Sequence, residues 1–246
     1  MKVSPTGRLD RWEQVTWDIV VKNDGDGKLY FLNVTDRLGP GLEYAGANVT
    51  PTSVSGRNVT WVLDLSSDPL EPGENMTIRL WADAVGCADP YRNEVTLDWG
   101  CDGVVCGTTS MTSEVPRARP DLKVDDLFDG SASICVERSF SFEASNEGDG
   151  KAYGFNSSYP IVLGYELPSA DCVEYSNGSA RVTLPNGTVL SVEPSVDRSS
   201  GRLNLTWTLT GVEVEPGEKI SVSFNATPLC CMKVGGETRA YASWYD

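Results

Sequence analysis

One run of alternating residues closed by a glycine-rich turn occurs twice in this chain, and its period of two admits strands rather than helices. Val15, Trp17, Ile19 and Val21 alternate with Thr16, Asp18, Val20 and Lys22, and the run ends in Asn23-Asp24-Gly25-Asp26-Gly27-Lys28. Ser139-Phe140-Ser141-Phe142-Glu143-Ala144-Ser145 repeats the alternation and ends in Asn146-Glu147-Gly148-Asp149-Gly150-Lys151. Residues two apart share one face of a strand, so each run has an apolar face to bury. The copies go on to match. Thr60-Trp61-Val62-Leu63 is answered by Thr206-Trp207-Thr208-Leu209, and Glu71-Pro72-Gly73-Glu74 by Glu215-Pro216-Gly217-Glu218. Asn93-Glu94-Val95-Thr96-Leu97-Asp98-Trp99 is answered by the stretch from Glu237 to Trp244. About seven short strands per copy, punctuated by Gly, Pro, Asn and Asp, predict an all-β chain of two tandem antiparallel sandwiches. The stiff link Pro116-Arg117-Ala118-Arg119-Pro120 predicts domains at 1–118 and 119–246.

Composition removes whole classes of function. The 246 residues contain no His, which excludes Ser-His-Asp and Cys-His catalysis and every His-ligated metal site. A formal net charge of −15 argues against nucleic acid and anionic membrane as partners, since phosphates attract Lys and Arg. No apolar run approaches the roughly 18 residues of a membrane span, so the segment is not expected to be membrane-embedded.

Asn and Cys point to a compartment. Of twelve Asn, nine open an Asn-x-Ser/Thr triplet: Asn33, Asn48, Asn58, Asn75, Asn156, Asn177, Asn186, Asn204 and Asn225. Chance would put roughly two of them in that context. Asn48 is the weakest acceptor, because Pro51 follows its triplet. Asn58, Asn75, Asn204 and Asn225 alternate out of phase with the apolar residues around them, so they face the side from which a glycan can project. The seven Cys show no C-x-x-C spacing. Cys101 and Cys106 flank a turn-like Asp102-Gly103-Val104-Val105, so a bridge across a hairpin end is expected there. Cys135, Cys172, Cys230 and Cys231 are further disulfide candidates whose connectivity stays open, and the odd count leaves at least one thiol unbridged within the chain or paired between chains. Together these residues predict an extracellular, cell-surface glycoprotein.

The succession Asn-x-Gly-x-Gly, Asn33-Val34-Thr35-Asp36-Arg37-Leu38-Gly39-Pro40-Gly41-Leu42, Thr60-Trp61, Glu71-Pro72-Gly73-Glu74 and Asn93-Glu94-Val95-Thr96 resembles the repeat catalogued as domain of unknown function eleven. That resemblance implies immunoglobulin-like sandwiches strung along archaeal and bacterial surface proteins, with a structural or adhesive role and no enzyme activity. The implied partners are other repeats of the same protein or neighbouring surface-protein chains. The second copy departs from the pattern between Asn156 and Ser200, where Cys172 and an inserted stretch from Val182 to Val192 appear. About sixteen residues follow Trp99 and read as a closing strand, whereas the chain stops two residues after Trp244. Either the segment is excised from a longer repeat protein, or an open edge makes it a filament subunit assembled by strand exchange.

Three constellations could carry chemistry. Asp24, Asp26, Glu147 and Asp149 place two carboxylates in a Gly-rich loop once per copy, a pattern that suits calcium in a calcium-stabilised adhesin binding a protein or polysaccharide. The competing account is a turn capped by Asn and Gly, with no cofactor. Glu13, Glu43, Glu71, Glu74, Glu94, Glu215 and Glu218 read as exposed solubilising charge rather than glycosidase acids. Trp17, Trp61, Trp99, Trp207 and Trp244 read as core anchors, while Trp81 is in phase with Thr77 and Arg79 and points outward.

Overall fold

The computed structural model describes residues 2–3, 7–101, 104–128, 134–230 and 237–244. The chain divides into two compact units, Met1–Ala118 and Arg119–Asp246. Among the described residues every regular element is a strand. No helix there is long and apolar enough to cross a membrane.

The first unit contains β1 (Lys2–Val3), β2 (Gln14–Lys22), β3 (Phe31–Leu38), β4 (Leu42–Ala47), β5 (Ser53–Ser55), β6 (Asn58–Asp64), β7 (Asn75–Ala84), β8 (Tyr91–Cys101) and β9 (Val104–Val115). They form two antiparallel sheets, β1-β2-β7-β4 and β5-β6-β3-β8-β9. The apolar positions of the alternating runs supply the core between them. Trp17, Leu32, Val34, Trp61, Ile78 and Leu80 have no exposed surface. Each such side chain contributes on the order of 2 kcal/mol of burial. An indole N–H cannot be left without an acceptor in that setting. Trp17 Nε1 donates to Ser113 Oγ at 3.1 Å, and Trp61 Nε1 to the Val49 carbonyl at 2.8 Å.

The second unit contains β10 (Leu122–Asp126), β11 (Arg138–Asn146), β12 (Ala152–Gly154), β13 (Ile161–Leu167), β14 (Val173–Tyr175), β15 (Arg181–Thr183) and β16 (Val189–Leu190). β17 (Ser195–Asp197), β18 (Leu203–Leu209), β19 (Val212–Val214), β20 (Lys219–Pro228) and β21 (Arg239–Ser243) complete it. Its main sheets are β10-β11-β20-β15-β16 and β17-β18-β13-β21, with β12 and β19 paired to each other. Here β11, β13, β18, β20 and β21 take the places of β2, β3, β6, β7 and β8. The core is aromatic: Phe140 stacks on Phe224 at 5.4 Å between centroids, and Trp207 lies 5.5 Å from Phe224 and 5.8 Å from Phe142. Trp207 Nε1 donates to the Val192 carbonyl at 3.1 Å, as Trp61 does to Val49. The inserted stretch therefore keeps the indole's acceptor while adding β15 and β16 to the sheet beyond β20. Each unit is an antiparallel sandwich of immunoglobulin-like kind. The strand count exceeds seven because short edge pieces accompany the long strands.

Among the described residues three strand glycines lie close under the aromatic ring opposite them: Gly46 under Trp81, Gly107 under Trp99 and Gly164 under Tyr241. A Cβ on Gly107 or Gly164 would run into the ring opposite, whereas one on Gly46 would meet Trp81 at 3.2 Å. A ring laid over a strand glycine covers backbone that has no side chain of its own. This alters the reading of Trp99, which is half-buried and lies on Gly107 rather than in the centre of the core. Trp244 is also only half-buried against its core. Trp81 stands on the outer side, as its phase predicts, and is half-buried over Gly46.

Candidate functional site

The repeated Asn-x-Gly-x-Gly-Lys and Glu-Pro-Gly-Glu motifs, far apart in sequence in each copy, meet in space. Asn23 follows β2; its Nδ2 donates to the carbonyls of Gly27 and Leu70, both at 2.8 Å, and its Oδ1 accepts the Gly25 amide at 3.1 Å. Its backbone amide donates to the Glu74 carbonyl at 2.9 Å, and its carbonyl accepts the Gly73 amide at 2.8 Å. Asn146 repeats the pattern: Nδ2 to Gly150 at 2.8 Å and to Val214 at 2.9 Å, backbone amide to Glu218 at 2.9 Å, carbonyl from Gly217 at 2.8 Å. The turns themselves require glycine, because Gly73 and Gly217 sit at φ values of 85° and 81°.

The glutamates of these turns are structural, which corrects their reading as merely solubilising charge. Glu74 Oε2 accepts the Glu71 amide at 2.9 Å, and Glu218 Oε2 accepts the Glu215 amide at 2.9 Å. Lys28 bridges to Glu71 at 2.5 Å and Lys151 to Glu215 at 2.9 Å. Hydrogen bonding to these carboxylates raises both lysines above their ordinary value. The Asn side chains, the glutamates and the lysines of the two motifs are thus turned toward the motifs' own turns.

The calcium candidates lie on the loop between these partners. Asp24 pairs with Lys22 at 2.5 Å, and Asp149 Oδ1 accepts the Arg119 amide at 2.7 Å. Among the described residues no three His, Cys, Asp or Glu converge as a metal set would. Elsewhere the shifted groups follow local partners. Arg79 holds Asp18 below the usual carboxylate range, and Lys219 does the same for Glu143. Burial pushes the phenols of Tyr91, Tyr165 and Tyr175 up.

The Asn of the nine triplets fall into two sets. Asn48, Asn58, Asn75, Asn177 and Asn186 are exposed, whereas Asn33, Asn156, Asn204 and Asn225 are half-buried. Asn33 Nδ2 donates to Asp98 Oδ2 at 3.2 Å within the ladder. Asn156 Oδ1 accepts the Ser158 amide at 2.8 Å and closes a turn. Asn225 Nδ2 donates to Glu137 Oε2 at 3.4 Å.

Of the cysteines, Cys172 and Cys230 form a disulfide, with Cα atoms 5.2 Å apart. The expected hairpin bridge is absent: Cys106 is a free, exposed thiol, and so is Cys135. The hairpin itself exists, but its bulge pairs Cys101 with Val104 and Gly100 with Val105, leaving Cys106 out of register with Cys101. Cys231 and the Cys101 side chain lie outside the described residues.

No protein-family model and no curated protein matches the chain. Among solved structures it is similar to the C-terminal domain of the Streptococcus agalactiae AgI/II polypeptide BspA. The identity is 10%, over 96% of this chain and 93% of that one, with a TM-score of 0.35. The C-terminal domain of the Streptococcus pyogenes antigen I/II-family protein AspA gives 10% identity over 96% and 90%, with a TM-score of 0.35. The full-length major pilin SpaD from Corynebacterium diphtheriae gives 14% over 87% and 54%, with a TM-score of 0.31. Likenesses this slight carry no functional inference.

Proposed function

We propose that the chain is a non-enzymatic structural spacer: two tandem sandwiches of a glycosylated extracellular protein, of the surface-layer or cell-surface repeat kind that its motifs resemble. The observation that carries this reading is that the Asn, Glu and Lys of both repeated motifs make the same internal bonds, from each Asn to its turn and between each Lys and its Glu. A site that recurs only to hold its own turn is a construction element, not a reaction centre. Five exposed Asn-x-Ser/Thr triplets and the Cys172–Cys230 bridge support the extracellular setting. Strand exchange is the second reading, favoured by β21, which among the described residues pairs with β13 alone.

Peptide mapping of the protein taken from its natural host tests the proposal. Glycans on Asn58, Asn75, Asn177 and Asn186, with Cys172 and Cys230 recovered as one crosslinked peptide, are the expected result. Unmodified Asn at all nine triplets together with reduced Cys172 would overturn the extracellular assignment.

A further inference from the structure

Three register positions hold polar residues in both units, and the two units fill them differently. In the second unit they are Asp126, opposite Phe142 on β11, Tyr165, opposite Ala240 on β21, and Thr238, two residues before Ala240. The Tyr165 hydroxyl lies 2.9 and 3.0 Å from the two carboxylate oxygens of Asp126, and the Thr238 hydroxyl donates to Asp126 Oδ2 at 2.6 Å. The trio is closed on itself.

The first unit has Lys2, Asp36 and Asn93 at these positions. Ile19 and Phe142 each lie four residues before the turn asparagine, and Lys2 stands opposite Ile19 as Asp126 stands opposite Phe142. Val34 opposes Trp61 as Leu163 opposes Trp207, and two residues further on come Asp36 and Tyr165. Asp36 opposes Val95 as Tyr165 opposes Ala240, and two residues back come Asn93 and Thr238.

Asp36 and Asn93 have no exposed surface, and they are diagonal neighbours across the ladder of β3 and β8, among the buried Val34, Leu38 and Val95. Among the described residues neither Nδ2 nor Oδ1 of Asn93 has a hydrogen-bond partner. Ser113, opposite Asn93 on β9, accepts the Trp17 indole instead. A carboxamide in that setting forfeits its hydration without return. The fold does not need a carboxamide there, since Thr238 fills the position in the other unit. What the position does suit is a reaction. An apolar interior favours the uncharged amine of a lysine, which is then a nucleophile, and the uncharged form of a carboxyl group, which can pass protons on.

We propose that Lys2 and Asn93 become joined by a side-chain amide bond, formed without another enzyme, with Asp36 as the proton carrier. Lys2 Nζ adds to Asn93 Cγ, and Asp36 takes a proton from that nitrogen and hands it to Nδ2. The Cγ–Nδ2 bond then breaks and ammonia leaves, so one amide replaces another and no oxidant or co-reactant is consumed. The bond clamps β1, at the edge of one sheet, to β8 of the other. It rests on the matching registers of the two units and not on the spacer reading.

The intact mass of the full chain under reductant, with sequencing of its proteolytic peptides, tests the bond. The expected mass lies about 17 Da below that of the sequence, the mass of one ammonia, with a branched peptide joining Lys2 to Asn93 that survives reduction. Lys2→Arg is expected to restore the full mass and to lower the melting temperature of the first unit by about 10 °C, while the second unit melts as before. Asp36→Asn is expected to give at least tenfold less of the branched peptide. The full sequence mass in the unaltered chain, with Lys2 and Asn93 in separate peptides, would overturn the proposal whether or not the variants fold. So would a loss of ammonia that persists in Lys2→Arg, and complete joining in Asp36→Asn would overturn the part given to Asp36. The assay requires neither glycans nor secretion, so its failure leaves the spacer reading standing, and failure of the peptide mapping leaves this bond standing.

Discussion

Asn146 Nδ2 stands 2.9 Å from the carbonyl of Val214, 68 residues further along the chain, as Asn23 Nδ2 stands 2.8 Å from that of Leu70. Each asparagine ties the end of one strand to the turn that launches the next strand of the same sheet. Replacing Asn146 by Ala strands two carbonyls in a buried site and is expected to destabilise the second unit by about 2–3 kcal/mol. Asn23 is only half-buried, so water replaces part of what Asn23→Ala removes, and about 1 kcal/mol is expected there. Urea titration of the two variants, followed by Trp fluorescence, checks the order. Equal effects would mean that burial does not set the cost.

The glycine–aromatic pairs predict a ranking. Gly164→Ala drives a methyl into Tyr241 in a buried stretch of β13, and about 2 kcal/mol or more of destabilisation is expected. Gly107→Ala meets Trp99 near a bulge, where the strand has more room to shift, and is expected to cost less. Gly46→Ala, with Trp81 at 3.2 Å, is expected to cost least. Thermal melts of the three variants check this, and the double variant Gly164→Ala, Tyr241→Ala is expected to recover part of the loss.

The disulfide closes a sequence separation of 58 residues inside the second unit. Its loss to Cys172→Ser and Cys230→Ser is expected to destabilise that unit by roughly 3–4 kcal/mol through the greater freedom of the unfolded chain. Calorimetry with and without reductant is expected to show one transition moving down while the transition of the first unit stays in place.

Alkaline pH acts on the tyrosines. Burial, then the hydrogen bond to Glu193 at 2.7 Å, pushes Tyr175 up to about 12. The unfolded phenol titrates near pH 10. Between those values the folded chain keeps a proton that the unfolded chain has lost, so this stability is complete below about pH 10 and declines as pH rises toward 12. Urea midpoints measured from pH 8 to 11.5 are expected to fall over the upper part of that range, and less steeply in Tyr175→Phe.

Much of the fold was legible because period two leaves little choice. Once Trp17, Trp61 and Trp207 fall on apolar faces, they must meet inside a sandwich, and all three are wholly buried. Periodicity tells which face a residue takes, but not which strand lies beside it. Nothing local announces that Gly164 will oppose Tyr241, or that Asn23 will reach Leu70, because those pairs depend on register across long separations. The cysteines show the same limit. Cys172 meets Cys230 because β14 pairs with the end of β20, where the Leu229 amide donates to the Cys172 carbonyl at 2.8 Å. Cys101 and Cys106 are nearer in sequence, but the hairpin pairs Cys101 with Val104 and not with Cys106. The glutamates of the Pro-Gly turns follow a related rule: Glu71, Glu215 and Glu218 are half-buried, and the backbone amides that Glu74 and Glu218 accept are brought to them only by the folded turn.

The most direct test of the spacer account is the solution mass of the whole chain by light scattering, under reductant and over a hundredfold range of concentration. Reductant silences the thiols of Cys106 and Cys135, so only non-covalent assembly is reported. A single species at the monomer mass of 26.6 kDa throughout is predicted. Growth into larger, reductant-resistant assemblies with concentration would contradict the account and favour strand exchange.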